Sequence, residues 1–412
     1  MASAARTLQF NLVAPENLLD PVPLYRELRK HDPVHWSDTV QAWFITRYDD
    51  VFNCFRDPRL SANRMKFFEM VAQGLGGPEV VKDFIKMISD QLSQRDGREH
   101  IQMRRQAAAG FSPQALDAWR PSVRRITEQL VADVKAQGRM NTVETLSSQL
   151  PPLVIAEVLG IPKEDRERFL AWARPLADFS APTAGMDLLD LGRRANTATR
   201  ELYEYLGGII EARRRAPGED LLSQMIHYQE AGQMTPEQLV SNAGLILIAG
   251  YTTTADQISN GLHDLLTHPD QLQKLQEDRT LVRSAVEEMI RYTSAVPVTH
   301  RVAAETFQLR GKTIRKGDVV FLGLAAANRD PEAFPDPDRF DITRDANHQK
   351  HMSFGFGPHH CLGSGLARRE LEIAFEVLLE RLPGLRLDET QLPQIKCHSL
   401  MFRGFESLHV RW

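Results

Sequence analysis

His351-Met-Ser-Phe-Gly-Phe-Gly-Pro-His-His-Cys-Leu-Gly-Ser-Gly365 is the stretch on which the reading of this chain turns. It is a glycine-rich turn that feeds directly into an apolar-periodic segment, residues 364–382, so Cys361 stands where a helix begins. Unpaired N–H groups at that helix start and in the turn before it can donate to a sulfur anion. This predicts a lowered thiol pKa and a thiolate that serves as ligand or nucleophile. Gly357 permits a positive φ in the turn, and Gly363 omits the side chain that would keep a flat ligand away from the backbone. Against this stands the ordinary case, a lone cysteine in a tight loop that is simply an inert core residue. A cysteine hydrolase would also need a His base placed beside the sulfur in space.

Outward from the loop, helical periodicity dominates. Residues 114–136, 140–160, 195–214, 236–267, 280–292 and 364–382 carry apolar positions three and four apart, bounded by Pro, Gly, Asp or Ser. Strand-like segments are fewer: Val34–Trp36 and Ala42–Thr46 read as a hairpin, and Thr313–Leu322 alternates around Lys316-Gly317-Asp318. The segment from Thr235 to His268 has a capping-box start, with Thr235 as cap, Pro236 at the first helical position and Gln238 three residues after the cap. Leu239 to Gly250 is apolar nearly all round, which predicts a helix through the middle of the protein, roughly 48 Å long at 1.5 Å per residue. Within it, Ala249-Gly250-Tyr251-Thr252-Thr253-Thr254 combines small residues with poor helix formers. It reads either as a local opening over a ligand or as a helix crossing with back-bonded threonines.

The 412 residues, 42% apolar and 25% charged, predict a water-soluble globular chain, mainly α with a smaller β portion near residues 34–47 and 300–325. No Ser/Gly/Pro-rich linker divides it, so a single domain over 1–412 is expected. A net charge of −4 supplies no field for phosphate backbones, which argues against nucleic acid as a partner. Three cysteines, Cys54, Cys361 and Cys397, are too few and too scattered for a disulfide framework, a zinc site or an iron–sulfur cluster. No stretch approaches the ~20 apolar residues that span a bilayer, and the expected location is cytoplasmic.

The pattern Phe354-Gly355-X-Gly357-X-His359-X-Cys361-X-Gly363 resembles the haem-binding loop of the cytochrome P450 superfamily of haem-thiolate monooxygenases. The resemblance runs through most of the chain and implies the P450 fold, with haem b (iron protoporphyrin IX) between the long central helix and the helix after the cysteine. It places Cys361 as the axial thiolate ligand of the iron. Glu288-Met-Ile-Arg291 matches the family's Glu-X-X-Arg motif, and Pro337-Asp-Arg339-Phe340 puts Arg339 where the family has the second arginine of a buried structural ion-pair cluster. His100 and Arg104, four apart, together with Arg301 and His359, occupy positions of haem propionate ligands. Ala249 to Thr254 aligns with the oxygen-activation segment, Ala-Gly-X-Asp/Glu-Thr-Thr/Ser. Thr253 then holds the position of the hydroxyl residue that helps protonate bound dioxygen, and Thr252 replaces the usual acid. Asp256, one turn beyond Thr252, is a candidate substitute through water or else a surface residue.

The resemblance further implies a pocket drawn from the 61–95 loop, residues 170–195, Leu247 to Thr253, Val296-Pro-Val298, and Ser399-Leu400-Met401-Phe402, with Ser180 to Gly185 as a lid connection. The implied reaction is O2-dependent hydroxylation or epoxidation of an apolar small molecule, of secondary-metabolite or xenobiotic type. Electrons would come from NAD(P)H through a separate ferredoxin or flavodoxin and its reductase, delivered to a monomer. Arg98, Arg104, Arg105, Arg368 and Arg369 form the expected docking patch, or else a solvated charged face. The missing acid at Thr252 keeps an alternative open, an atypical oxidation such as ring coupling, C–C cleavage or peroxide-driven turnover; a haem-based sensor or carrier is the more distant one.

Overall fold

The computed structural model describes residues 10–180, 187–345, 350–397 and 399–412. Its axis is the helix Pro236–Thr267, which starts as its capping box predicts: the Thr235 hydroxyl accepts from Gln238 N, and the Gln238 side chain accepts from Thr235 N, both at 3.1 Å. Because this helix is apolar on nearly every side, it is enclosed by others. Leu150–Val158, Arg166–Ser180, Val282–Tyr292 and Ser364–Arg381 all pack on it, and their buried side chains make one continuous core. The helix is unbroken through residues 249–254, so the small-residue stretch does not open it.

The β portion forms mainly one five-stranded sheet in the order Val34–Ser37, Ala42–Ile45, Val319–Gly323, Val298–Ala303, Leu60–Ser61. Its first two strands are the expected hairpin, and Trp43 to Ile45 then pairs in parallel with Val320 to Leu322. Strand Val298–Ala303 pairs with Val319–Gly323 and carries Arg301, whose guanidinium lies over the Phe55 ring, 5.3 Å from its centroid.

Two sequence expectations are corrected. Residues 140–160 are not one helix. Arg139–Asn141 is a strand paired with His409–Arg411, a π turn follows at Val143–Ser147, and a new helix runs Leu150–Val158. Pro151 and Pro152 lack the N–H groups that would continue a helix from upstream, yet suit the first turn of a new one. Thr313–Leu322 is likewise two strands, Lys312–Ile314 and Val319–Gly323, separated by a turn in which Gly317 has φ +92° and the Asp318 side chain accepts from Arg315 N at 2.8 Å. The expected lid connection, Ser180 to Gly185, lies beyond Ser180 outside the described residues.

Candidate active site

The loop before Cys361 is a stack of tight turns. Gly355 N donates to Met352 O at 2.7 Å, Cys361 N to Phe354 O at 2.8 Å, and His360 N to Gly357 O at 3.1 Å. Gly357 sits at φ +70°, and a Cβ there would also press on the Phe55 carbonyl. Beyond the cysteine, a Cβ on Gly363 would meet only open space. Cys361 itself is deeply set in protein, yet its surface is exposed. An open surface so far inside the molecule is the wall of a cavity. Burial pushes the thiol pKa up, outweighing the amides of Gly363 and Ser364 and the charges of Arg104 and Arg368 that favour the anion. The expectation of a thiol lowered by the helix start is therefore corrected: desolvation wins, and a stable thiolate here needs a cation at the sulfur.

The central helix presents a second wall. Most of it is closed, but Leu245, Ala249, Thr252 and Thr253, spaced three and four apart, keep accessible surface along one stripe, with Ala249 exposed. Leu245 and Leu362, the residue after the cysteine, pack against the same small cluster of Leu92, Met103 and Ala107, so helix and loop border the same space. Thr253 donates to Ala249 O at 2.8 Å. Gly250 serves packing: a Cβ there would meet Ile155 Cδ1 at 2.7 Å on the neighbouring helix. Leu247, two residues from Ala249 and so on another face, has no accessible surface and belongs to the core, which removes it from the pocket. Val298 is corrected in the same way, closed among Leu24, Phe44 and Ala326, whereas Val296, Leu400 and Met401 are half-buried.

A ring of basic groups flanks this space. His100 is buried with both ring nitrogens unpartnered, and its ring stacks on His359 at 3.8 Å between centroids. Burial, with the positive charges of His359 and Arg104, holds its pKa down to about 4. Arg104 is half-buried, donating to His360 O at 2.6 Å. Arg301 is buried, donates to the His300 carbonyl at 2.9 Å, and has no carboxylate within ion-pair reach among the described residues. Burial and the nearby Arg64 lower its pKa to about 10. Arg64 Nε and both His300 nitrogens are also buried without partners, and burial lowers the pKa of each group. Arg64 and His300 escaped the sequence reading, since nothing in their local sequence distinguishes them; only their unpartnered atoms do.

The Cytochrome P450 family pattern matches residues 78–403. The chain belongs to the cytochrome P450 family. It is 34% identical over 403 residues to the polyketide biosynthesis cytochrome P450 PksS of Bacillus subtilis (strain 168), covering 95% of each chain. It is 36% identical over 401 residues to the cytochrome P450 monooxygenase PikC of Streptomyces venezuelae, covering 95% of this chain and 91% of that one. The crystal structure of CalO2 superposes with a TM-score of 0.89 at 32% identity over 98% of both chains. The chain is thus an enzyme of the P450 monooxygenase class, with the P450 fold.

Family membership implies haem, and the residues present fit it. Two buried or half-buried arginines without a carboxylate, Arg64 and Arg301, and two histidines with unused ring nitrogens call for an anionic ligand at one edge of the space; a dianionic macrocycle edge supplies that charge. The open space at Gly363 and the exposed Cys361 flank Leu362, which shares a small apolar cluster with Leu245 of the stripe on the central helix. Cys361 would ligate the iron, and His100, Arg104, Arg301, His359 and Arg64 would hold the carboxylates.

Behind the loop, Glu288 and Arg291 form a buried bidentate pair at 2.7 and 2.8 Å. Arg291 also donates to the carbonyls of Asn328 and Pro337 at 2.9 Å and of Arg339 at 3.2 Å. Arg339 is not the second arginine of this cluster. Its side chain is 61% exposed and among the described residues pairs only with Asp341, at 3.9 Å, while its neighbour Phe340 is buried. Arg344 takes the place, with Nε 3.2 Å from Glu288 Oε2. The docking arginines also divide. Arg368 is engaged by Glu287 and lies over the Phe354 ring, and Arg369 bonds Glu372 at 3.0 Å. Arg98 and Arg105 remain exposed with no ion pair among the described residues. Asp256 is not a surface residue: it is 3% exposed and paired with Lys396.

Proposed function

We propose that this P450 inserts one oxygen atom of O2 into an apolar small molecule of secondary-metabolite type, by hydroxylation or, at an alkene, epoxidation. The observation that carries the reading is the exposed Cys361 in its glycine-rich loop, with its neighbour Leu362 sharing a cluster with Leu245 at the head of the stripe Leu245, Ala249, Thr252 and Thr253. Haem bound between them supplies the oxygen-activating chemistry, which a thiolate ligand favours by pushing electron density toward the iron. The chain's own residues bind, orient and exclude water. Leu245, Val296, Leu400 and Met401 give the distal space an apolar lining. Thr252 and Thr253 are the hydroxyls on the stripe, with the Thr253 proton held by the Ala249 carbonyl until a closer acceptor competes for it.

Arg98, Ile101 and Arg105, all exposed on the helix Gly97–Ala107 beside the cysteine loop, suit an acidic electron donor such as a ferredoxin or flavodoxin served by an NAD(P)H-dependent reductase. The polyketide pathway in the name of PksS supports a natural-product substrate.

The test is isotopic. Purified protein with donor proteins, NAD(P)H and 18O2 should convert a member of an apolar natural-product library to a product bearing one 18O. The Cys361→Ser protein should lose both that product and the thiolate-type spectrum of the reduced carbon monoxide adduct. Product without 18O, or full activity in Cys361→Ser, would overturn the reading.

A further inference from the structure

The stripe on the central helix carries hydroxyls at Thr252 and Thr253 but no acid, while the reaction consumes protons: RH + O2 + 2 e− + 2 H+ → ROH + H2O. Asp256 lies three and four residues beyond those threonines, hence on the same side of the helix, within one turn. Its carboxyl is buried. Lys396 donates to Oδ1 at 2.7 Å, and Oδ2 has no partner among the described residues. The Gly404 backbone closes directly against it, leaving no room for a side chain at 404. A carboxylate installed only as a structural ion pair would be expected to use both oxygens; this one keeps an oxygen free.

Lys396, in turn, is not sealed. Its side chain retains 26% exposure, its backbone is tied to Gly404 by the bond from Lys396 N to Gly404 O, and it stands near Glu406, which is exposed, and Tyr251. The pair therefore bridges from solvent at the C-terminal hairpin to the interior of the central helix. Burial raises the Asp256 pKa to about 6, against the lowering effect of Lys396, with Glu406 adding to the rise. A group poised there exchanges its proton readily near neutral pH. The charged and titratable groups around it are Lys396 and Glu406 from the hairpin, Tyr251 of its own helix and, acting on Tyr251 from the helix Arg166–Ser180, Arg174 and Asp178, the last also within reach of Lys396.

We infer that Asp256, seated by Lys396, is the proton-relay carboxyl of this enzyme, in the role left empty at Thr252. The Asp256 O–H bond breaks as a pocket water or the Thr252 hydroxyl takes the proton. The carboxylate left behind is held by the Lys396 ammonium, and a proton from bulk water at the hairpin restores the acid. The electrons come from the external donor, so Asp256 changes protonation only. It acts through the hydroxyls and water and is a positioning residue in that sense. The inference rests on the monooxygenase reading.

The test uses the haem-loaded enzyme, with Asp256→Asn and Lys396→Met compared at equal haem content and with unchanged carbon monoxide spectra. Infrared difference titration should show a protonated-carboxyl band in the wild type that fades as pH rises through about 6. The Asp256 component, isolated as wild type minus Asp256→Asn so that the buried Asp264 carboxyl cancels, should persist to higher pH in Lys396→Met, where the stabilising cation is gone. With O2 and reductant, Asp256→Asn should divert electrons from product to hydrogen peroxide, raising the peroxide-to-product ratio by about tenfold or more. A ratio equal to wild type, or a carboxyl titration near pH 6 left unchanged in Asp256→Asn, overturns the inference while wild-type product keeps the monooxygenase reading intact. A wild type that takes up no O2 with reductant overturns both.

Discussion

Two clusters of buried charge lie on either side of the cysteine loop, and they are built in opposite ways. Around Glu288, each carboxylate oxygen meets a guanidinium, and Arg291 spends its remaining donors on the carbonyls of Asn328, Pro337 and Arg339. Around Arg301, Arg64 Nε and the rings of His100 and His300 are without partners among the described residues, and no carboxylate there comes within ion-pair reach of the arginine, Asp96 acting on it only from farther off. Burying charge is expensive in both places. One cluster is complete within the chain, which marks it as scaffold. The other is complete only with an anion, which marks it as a binding site. The distinction between structure and function here lies in where the hydrogen bonds run out, not in residue type or depth.

Removing charge from the complete cluster breaks the comparison most severely. Glu288→Gln leaves Arg291 buried and uncompensated and should cost about 3–5 kcal/mol. In a denaturant titration followed by far-ultraviolet dichroism and by the haem band, both midpoints should fall together, since the helix Val282–Tyr292 and the segment before the loop separate. Arg344→Ala should move both midpoints less, by about 1–3 kcal/mol for one charge-assisted bond. Arg339→Ala, at an exposed site, should stay within about 0.5 kcal/mol of wild type. An Arg339 effect equal to that of Arg344 would reverse the assignment made from the geometry.

The sequence carried these two clusters unequally. The central helix was legible to the residue because its ends are written locally, in Thr235, Pro236 and Gln238, and its environment in an apolar run on all faces. Cys361 was legible because glycines must stand where the turn needs positive φ. Arg344 was not, because two arginines five residues apart compete for one carboxylate, and only their placement in the fold decides between them. The strand at Arg139–Asn141 was hidden for a similar reason, since its partner, His409–Arg411, lies at the far end of the chain. Arg64 and His300 carry no local pattern, and their role follows from what is missing around them. The thiol pKa was misjudged because local amides are visible in sequence and desolvation is not.

The incomplete cluster should respond to charge removal with the two midpoints separating. Arg301→Met keeps volume, deletes an uncompensated cation and removes a charge-assisted bond to a haem carboxylate, worth about 1.5–3 kcal/mol. Haem transfer to an excess of a haem-scavenging globin should therefore accelerate by roughly ten- to a hundredfold. The far-ultraviolet midpoint should hold steady or rise, because a buried charge without a protein partner stabilises nothing. A parallel fall of both midpoints, as in Glu288→Gln, would place Arg301 with the scaffold.

Asp264 shows a third way to keep an ionisable group inside. It lies on the central helix, 5% exposed, with Oδ2 unpartnered. Burial lifts its pKa to about 7, opposed by a Thr293 hydrogen bond and by Arg329 and Arg403. It is neither paired nor awaiting a ligand; it takes a proton. The folded-state value stands above the unfolded carboxyl value near 3.9, so between those limits the folded chain holds a proton that the unfolded chain releases. Stability from this group is thus intact below about pH 4 and declines as pH rises toward 7. Asp264→Asn, neutral throughout, should match wild type at pH 4 and exceed it at pH 8, by about 0.5–2 kcal/mol, the usual gain from relieving one unfavourable site. Thermal midpoints of the two proteins measured across that range should draw apart between about pH 4 and 7 and stay apart above it. A difference that is constant with pH would mean that Asp264 stays ionised in the fold, stabilised by Arg329 and Arg403 as Glu288 is by its arginines.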